Sequence, residues 1–296
     1  MTEPTELRCP TCQAPLQPGD HFCEQCGGRV AEEESSESAT DRIELDLVVA
    51  AAVSDRGRVH HRNEDAFELE VAGKQSVAVV VCDGISSASA GNTAARNAAE
   101  AAASVLRKAA ADPGSDASTA TEAAIQAANG AVEQVEWTTR TQRVDPSCTL
   151  VCALCRGGEI VVGWVGDSRA YWVDPAGPRQ LTVDDSFAEE SVAQGLMTPE
   201  QAAHSPYLHS ITNWVGPDAP ERPPRLTVLH PDAHGRLLLC TDGLWNYLAA
   251  AAELGELIDG LPPEASPAAV ARALTDTALV RGGRDNITVA VVDIDP

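Results

Sequence analysis

No apolar stretch of this 296-residue chain approaches the roughly 20 consecutive residues that span a bilayer, and the opening MTEPTELRCP has neither the basic start nor the apolar core of a secretory signal. Both absences lead to the expectation of a cytoplasmic protein with no membrane insertion. Basic charge is scarce: 21 Lys and Arg stand against 44 Asp and Glu, for a net charge of −23. Such a chain repels phosphate backbones and anionic lipid, which excludes nucleic acid as a partner and favours pockets that recruit cations. Lysine is nearly missing, since all but two of the 21 basic residues are arginine; with the abundant alanine this hints at a high-GC bacterial genome. What is plentiful is apolar: a 44% hydrophobic chain of this length suits one large globular domain with a small appendage.

The nine cysteines fall into two unlike groups. Cys9 and Cys12 in CPTC and Cys23 and Cys26 in CEQC are two C-x-x-C turns, each able to aim two thiolates at one ion, which in a cytoplasmic chain reads as a structural zinc site; a redox disulfide pair is the rival reading. Cys82, Cys148, Cys152, Cys155 and Cys240 sit in apolar runs and read as core side chains. Cys152 and Cys155 also have C-x-x-C spacing, but on a strand they point to opposite faces. Residues 1–30 hold few apolar side chains beyond Leu7, Leu16, Phe22 and Val30, so a metal would supply most of their folding free energy. With FCEQCGG following CPTC, this segment resembles the short zinc ribbons. AEEESSESATD carries no large apolar residue, so residues 31–45 are expected to be an acidic flexible linker, with the main domain over 46–296.

Within that domain, LDLVVAAAVS, AFELEVA and SVAVVVCDG read as strands, then two alanine-rich helices are expected over 90–111 and 117–137, separated by DPGSD. A second strand-rich block runs through CTLVCALCRGGEIVVGWVGDSRAYWVD, with RGGE as a hairpin turn. ERPPRLTVLH, GRLLLCTDGL, a helix over 266–281 and the strand NITVAVVDI complete the chain.

Acidic residues recur at strand ends: Asp83 in VVVCDG, Asp167 in VGWVGDSR, Asp242 in LLLCTDGL, and Asp285 just before the last strand. A lone Asp-Gly after a strand is usually a turn. Four such residues, joined by Glu64 and Asp65 of HHRNEDAF, would converge on one edge of a sandwich and repel too strongly to ionise together without cations. All-oxygen ligation indicates magnesium or manganese, and two such ions sharing one carboxylate activate a bridging water for in-line attack on phosphorus.

RNED, CDG, SCTL, GDSRAY, LTVDDS, CTDGL and RDNITV occur in the order and spacing of the metal-dependent serine/threonine protein phosphatases, the type 2C family in its bacterial form, and the resemblance runs from about Asp46 to Ile294. It implies an α+β fold, a central two-sheet antiparallel β-sandwich flanked by helices (α-β-β-α), carrying the N-terminal zinc ribbon as an addition. It implies hydrolysis of phosphoserine and phosphothreonine in proteins, with the substrates of a cognate serine/threonine kinase as partners and a monomeric state. By position, Asp83 resembles the carboxylate bridging two metals, with the Gly84 carbonyl on the first. Asp242 and Asp285 resemble ligands of the second, Glu64 and Asp65 act mostly through metal-bound waters, and Asp167 with Asp242 would hold a third ion. Residues 186–216 match the family's flap beside the active site. Asn286 reads as a turn and strand-start residue.

Two departures stand out. The family reads R-x-x-N-E-D, its arginine gripping the substrate phosphate, whereas His60 fills that slot here. DGISS replaces D-G-M-G-G, so Ser86 and Ser87 stand where glycines are usual, and Ile85 cannot serve as the proton donor that some relatives carry there. These departures motivate a pseudophosphatase that binds phosphoproteins as one rival function; a zinc-ribbon interaction protein is the other.

Overall fold

The computed structural model describes residues 42–72, 76–88, 90–136, 145–205, 207 and 210–295. The expected ribbon over 1–30, its zinc ligands Cys9, Cys12, Cys23 and Cys26, and most of the expected linker lie outside the described residues. From Arg42 on, the strands are β1 (Arg42–Asp46), β2 (Ala50–Asp55), β3 (Asp65–Ala72), β4 (Ser76–Asp83), β5 (Leu150–Arg156), β6 (Glu159–Val165), β7 (Arg169–Asp174), β8 (Gly177–Gln180), β9 (Arg225–Leu229), β10 (Gly235–Cys240) and β11 (Ile287–Ile294). The helices are α1 (Gly91–Ala111), α2 (Ala117–Val132), α3 (Phe187–Ala193), α4 (Pro199–Ala203), α5 (Asp242–Trp245), α6 (Ala251–Asp259) and α7 (Pro267–Arg281).

Every named strand pair is antiparallel, in a six-stranded sheet ordered β1-β2-β11-β10-β7-β8 and a five-stranded sheet ordered β3-β4-β5-β6-β9. The two sheets bury a common apolar seam of Leu69, Val79, Val81, Val151, Leu237, Leu239 and Val292. On its outer face the five-stranded sheet packs against α1 and α2; the six-stranded sheet packs against α5, α6 and α7 through Leu244, Leu254 and Leu274. Four layers result, as expected for an α-β-β-α sandwich. Alanine explains the first helical layer: Ala94, Ala95, Ala98, Ala99, Ala102 and Ala103 form one buried stripe of α1 at helical spacing, and their small side chains let the helix lie close on the sheet. α2 starts at Asp116, whose carboxylate accepts the Thr119 N–H at 2.7 Å as an N-cap.

LDLVVAAAVS, expected as one strand, is a hairpin. The Asp46 carboxylate accepts the Val48 N–H at 2.9 Å, and Val48 adopts φ 72° on an exposed tip. An aspartate that folds its side chain back onto the backbone is a turn former, even inside an apolar run. The expected linker is shortened accordingly: residues 42–45 belong to β1, which pairs with β2 and is tied to α7 through Arg42–Asp276 at 2.7 Å and Arg272–Glu44 at 2.6 Å. Helix α6 and the short α3, α4 and α5 were not anticipated, and α2 stops at Val132.

The five described cysteines are free and buried. Cys152 faces the helices and Cys155 the seam, as strand alternation requires, and burial pushes the thiols of Cys152, Cys155 and Cys240 up to about 12. They are core side chains. Among the described residues no helix is long and apolar enough to cross a membrane.

Candidate active site

Asp65 opens β3 and Asp83 closes β4, and the two are direct partners across the five-stranded sheet. Asp242 opens α5 just after β10, and Asp285 lies two residues before the start of β11, so these two stand at strand ends of the six-stranded sheet. Asp167 lies in the turn after β6 and is 6% exposed. The five form one electrostatic cluster. Burial raises the Asp83 carboxyl well above the usual carboxylate range, and the charges of Asp65, Asp242, Asp285 and Asp167 add to it. Burial, followed by repulsion from Asp285 and Asp242, lifts Asp65 to about 8. Asp242 is lifted to about 6 by burial and Asp285, and Asp167 is raised by burial, Asp242 and Asp184.

Glu64 and Gly84 join the cluster through the backbone: the Gly84 N–H donates to the Glu64 carbonyl at 3.1 Å. Only glycine fits at position 84, where a Cβ would stand 2.6 Å from the Gly91 carbonyl group and 2.7 Å from the Glu64 oxygen.

Asp65 and Asp83 are partly exposed as whole residues, but Asp65 Oδ1 and Asp242 Oδ1 are closed off from solvent and have no hydrogen-bond partner. A buried carboxylate oxygen without a donor is unfavourable, and five mutually repelling carboxyls compound the penalty. Hard divalent cations relieve both, and the all-oxygen donor set suits magnesium or manganese. Among the described residues no group of three or more His, Cys, Asp or Glu side chains is gathered closely enough to hold a metal ion as the side chains stand.

His60 reaches the cluster. Its Nε2 lies 3.2 Å from Asp285 Oδ1, so the residue in the slot of the family's arginine contacts a candidate ligand carboxylate. Asn286 does more than start a strand. Buried at 3% exposure, its Oδ1 accepts the Glu64 N–H at 2.7 Å and its Nδ2 donates to the carbonyls of Arg56 and Arg62 at 2.7 and 3.1 Å, pinning the whole RNED loop to β11. Gly57, at φ +75°, lets that loop pass Asp285, whose carbonyl oxygen a Cβ there would meet at 2.1 Å.

Asp167 is braced from below. The Arg169 guanidinium pairs with Asp184 at 2.7 Å and lies 3.9 Å over the Trp245 ring, while Trp245 Nε1–H donates to the Asp167 carbonyl at 2.9 Å. Asp185, 1% exposed, accepts from the Gly166 N–H at 3.1 Å and Asn213 Nδ2 at 3.2 Å, tying the far end of the flap segment to the Gly166–Asp167 turn. Sequence reasoning missed these supports, along with the buried hydroxyls of Ser54, Thr241 and Thr288. Polar Thr288 inside the apolar ITVAVV run was the available signal. A cavity of about 660 Å³ lies elsewhere, between α2 and residues 213–224, with Glu122, Asn129, Trp214 and Arg222 in its walls; it contains none of the clustered carboxylates.

Residues 56–277 match the family described as Protein phosphatase 2C. The chain belongs to that family. The serine/threonine protein phosphatase PstP of Mycobacterium tuberculosis is 33% identical over 82% of this chain, which spans only 44% of that protein's length. The serine/threonine phosphatase stp of Listeria innocua is 30% identical over 81% of this chain and 93% of its own. A crystal structure of the PstP catalytic domain in complex with two manganese ions is similar at a TM-score of 0.61, with 30% identity over 86% of this chain and all of that one. The protein phosphatase 2C sandwich thus accounts for the described residues of the main domain.

Proposed function

We propose that this chain is a metal-dependent phosphatase of phosphoserine and phosphothreonine proteins. The observation that carries the reading is the pair of buried, unpartnered oxygens, Asp65 Oδ1 and Asp242 Oδ1, contributed by opposite sheets within one acidic cluster. The relatives, which are serine/threonine phosphatases, and the manganese ions of the PstP domain point the same way. Asp83 would be held in common by two manganese or magnesium ions, with the Gly84 carbonyl on the first; Asp242 and Asp285 would hold the second, Glu64 and Asp65 would act through water, and Asp167 with Asp242 would take a third. Bound there, such ions supply neutralising charge and Lewis acidity toward water and phosphate.

The remaining work falls to the chain. His60, beside Asp285, would donate a hydrogen bond to the substrate phosphate, more weakly than a bidentate arginine. Ile85 offers no proton, so the leaving alkoxide takes one from solvent or a histidine. The flap segment exposes Phe187, packed edge-on against Tyr207 at 5.6 Å, and Leu196, an apolar face suited to a protein substrate. The kinase whose products it reverses, a cytoplasmic location and a monomeric state belong to the same proposal. So does an N-terminal ribbon with one zinc on Cys9, Cys12, Cys23 and Cys26, serving docking or localisation; deletion of residues 1–41 should then leave hydrolysis of a small phosphate ester unchanged.

Phosphate release from a panel of phosphopeptides tests the function: it should require manganese or magnesium and stop in EDTA. Tight phosphopeptide binding without release at any manganese concentration would instead favour a pseudophosphatase, a reading that the engagement of His60 with Asp285 keeps open.

A further inference from the structure

Asp65 belongs to the five-stranded sheet, yet the hydrogen bonds to its carboxylate come from the other one. Thr241 and Thr288 hydroxyls both donate to Asp65 Oδ2, at 2.9 and 2.7 Å. The direction of the network is set by its outer members. Thr241 Oγ1 accepts the Thr288 N–H at 3.0 Å, so its single proton is left for Asp65. Asn63 Nδ2 donates to Ser54 Oγ at 2.8 Å, and Ser54 Oγ lies 2.8 Å from Thr288 Oγ1. Thr288 has one hydroxyl proton and gives it to the carboxylate, so in its contact with Ser54 it is the acceptor. Ser54, Thr241 and Thr288 are at most 2% exposed, so no solvent competes. One oxygen of Asp65 is doubly held; the other, Oδ1, is buried and bare.

We propose that Thr241 and Thr288 are positioning residues of the cation site: by clamping Asp65 Oδ2 from the opposite sheet, they aim Oδ1 toward the water shell of the cation and fix the distance between the carboxylates of the two sheets. The clamp rests on reading the carboxylate cluster as the cation site. Its consequence is that two hydroxyls that touch neither substrate nor metal set the metal affinity.

Manganese binding by the full chain, followed by electron paramagnetic resonance of the free ion without substrate, tests it. Thr241→Val and Thr288→Val keep the volume and remove the donor; each should weaken manganese binding about tenfold, as expected for a hydrogen bond to a charged group. Thr288→Ser, which keeps the donor, should bind like the parent. Thr275→Val should bind like the parent too, because that equally buried hydroxyl donates to the Ala271 carbonyl inside α7. In phosphate release, the manganese concentration for half-maximal rate should rise by the same factor, with a smaller change in rate at saturation. Parent-like affinity in both valine variants overturns the inference, as does a Thr288→Ser as weak as Thr288→Val, which would make the effect one of packing. Should Thr288→Val not fold, Thr241→Val decides by the same criterion. A parent that binds manganese but releases no phosphate would sink the phosphatase reading and leave the clamp standing; a parent that binds no manganese sinks both.

Discussion

The middle of the inter-sheet seam and its acidic end are built on the same alternating faces, yet they are opposite in chemistry. Followed two residues at a time, β4 runs Val79, Val81, Asp83; β10 runs Leu237, Leu239 and on to Thr241; β11, read backward, runs Val292, Ala290, Thr288; β2 runs Ala50, Ala52, Ser54; and β3, read backward, runs Leu69, Phe67, Asp65. Each face is apolar until its last position and polar there. The middle holds the fold together by burying hydrocarbon. The end opposes it, because carboxylates are buried beside one another with two oxygens unpartnered. Stability and function are therefore separated along single strands, by one step of the strand period.

The largest stability effect should come from the middle. Leu239→Ala removes a fully buried side chain from the seam and should lower the unfolding free energy by about 2–5 kcal/mol, measured by urea denaturation. Its apparent manganese affinity should stay at the parent's value; a large loss there would break the separation of the two regions.

A smaller effect, opposite in kind, is expected at the end. The Asp65 and Asp242 carboxyls are raised to about 8 and about 6, so the cation-free folded chain keeps protons that the unfolded chain releases. The stability this contributes is complete below the ordinary carboxylate range and is lost as pH rises through those values. In EDTA the melting temperature should therefore fall by several degrees from about pH 5 to about pH 8, and saturating manganese should remove most of that slope. A slope that manganese leaves unchanged would mean that the acidic end is not where the protons sit.

The smallest effect concerns substrate. His60→Arg should lower the Michaelis constant for a phosphopeptide a few-fold, since a guanidinium can grip a phosphate with two parallel hydrogen bonds. His60→Arg and His60→Ala variants that both match the parent would confine His60 to its contact with Asp285.

Alternation made most of the sandwich legible in the sequence. VAVVVCD, LLLCTD and ITVAVV announce strands, and their terminal acids announce a shared edge. Long alanine runs announced α1 and α2. Three things stayed hidden for physical reasons. The β1–β2 turn uses an Asp side chain instead of Gly or Pro, so an apolar run conceals a reversal. The clamp on Asp65 joins residues from position 54 to 288, a proximity that only the folded sheets create. Asn286 looks like a strand-start residue because its three loop partners are more than 200 positions earlier in sequence.

The account stands most directly on Asp83, a carboxyl whose environment includes the charges of all four others. Asp83→Asn removes its charge with almost no change of volume, and the measurement is phosphate release from a phosphothreonine peptide across a manganese titration, parent against variant. The parent's rate should saturate with manganese and vanish in EDTA, and the folded variant should release no phosphate above background at any manganese concentration. A variant that turns over at the parent's rate, or a parent whose rate ignores manganese and EDTA alike, would contradict the claim that this acidic edge is the active site.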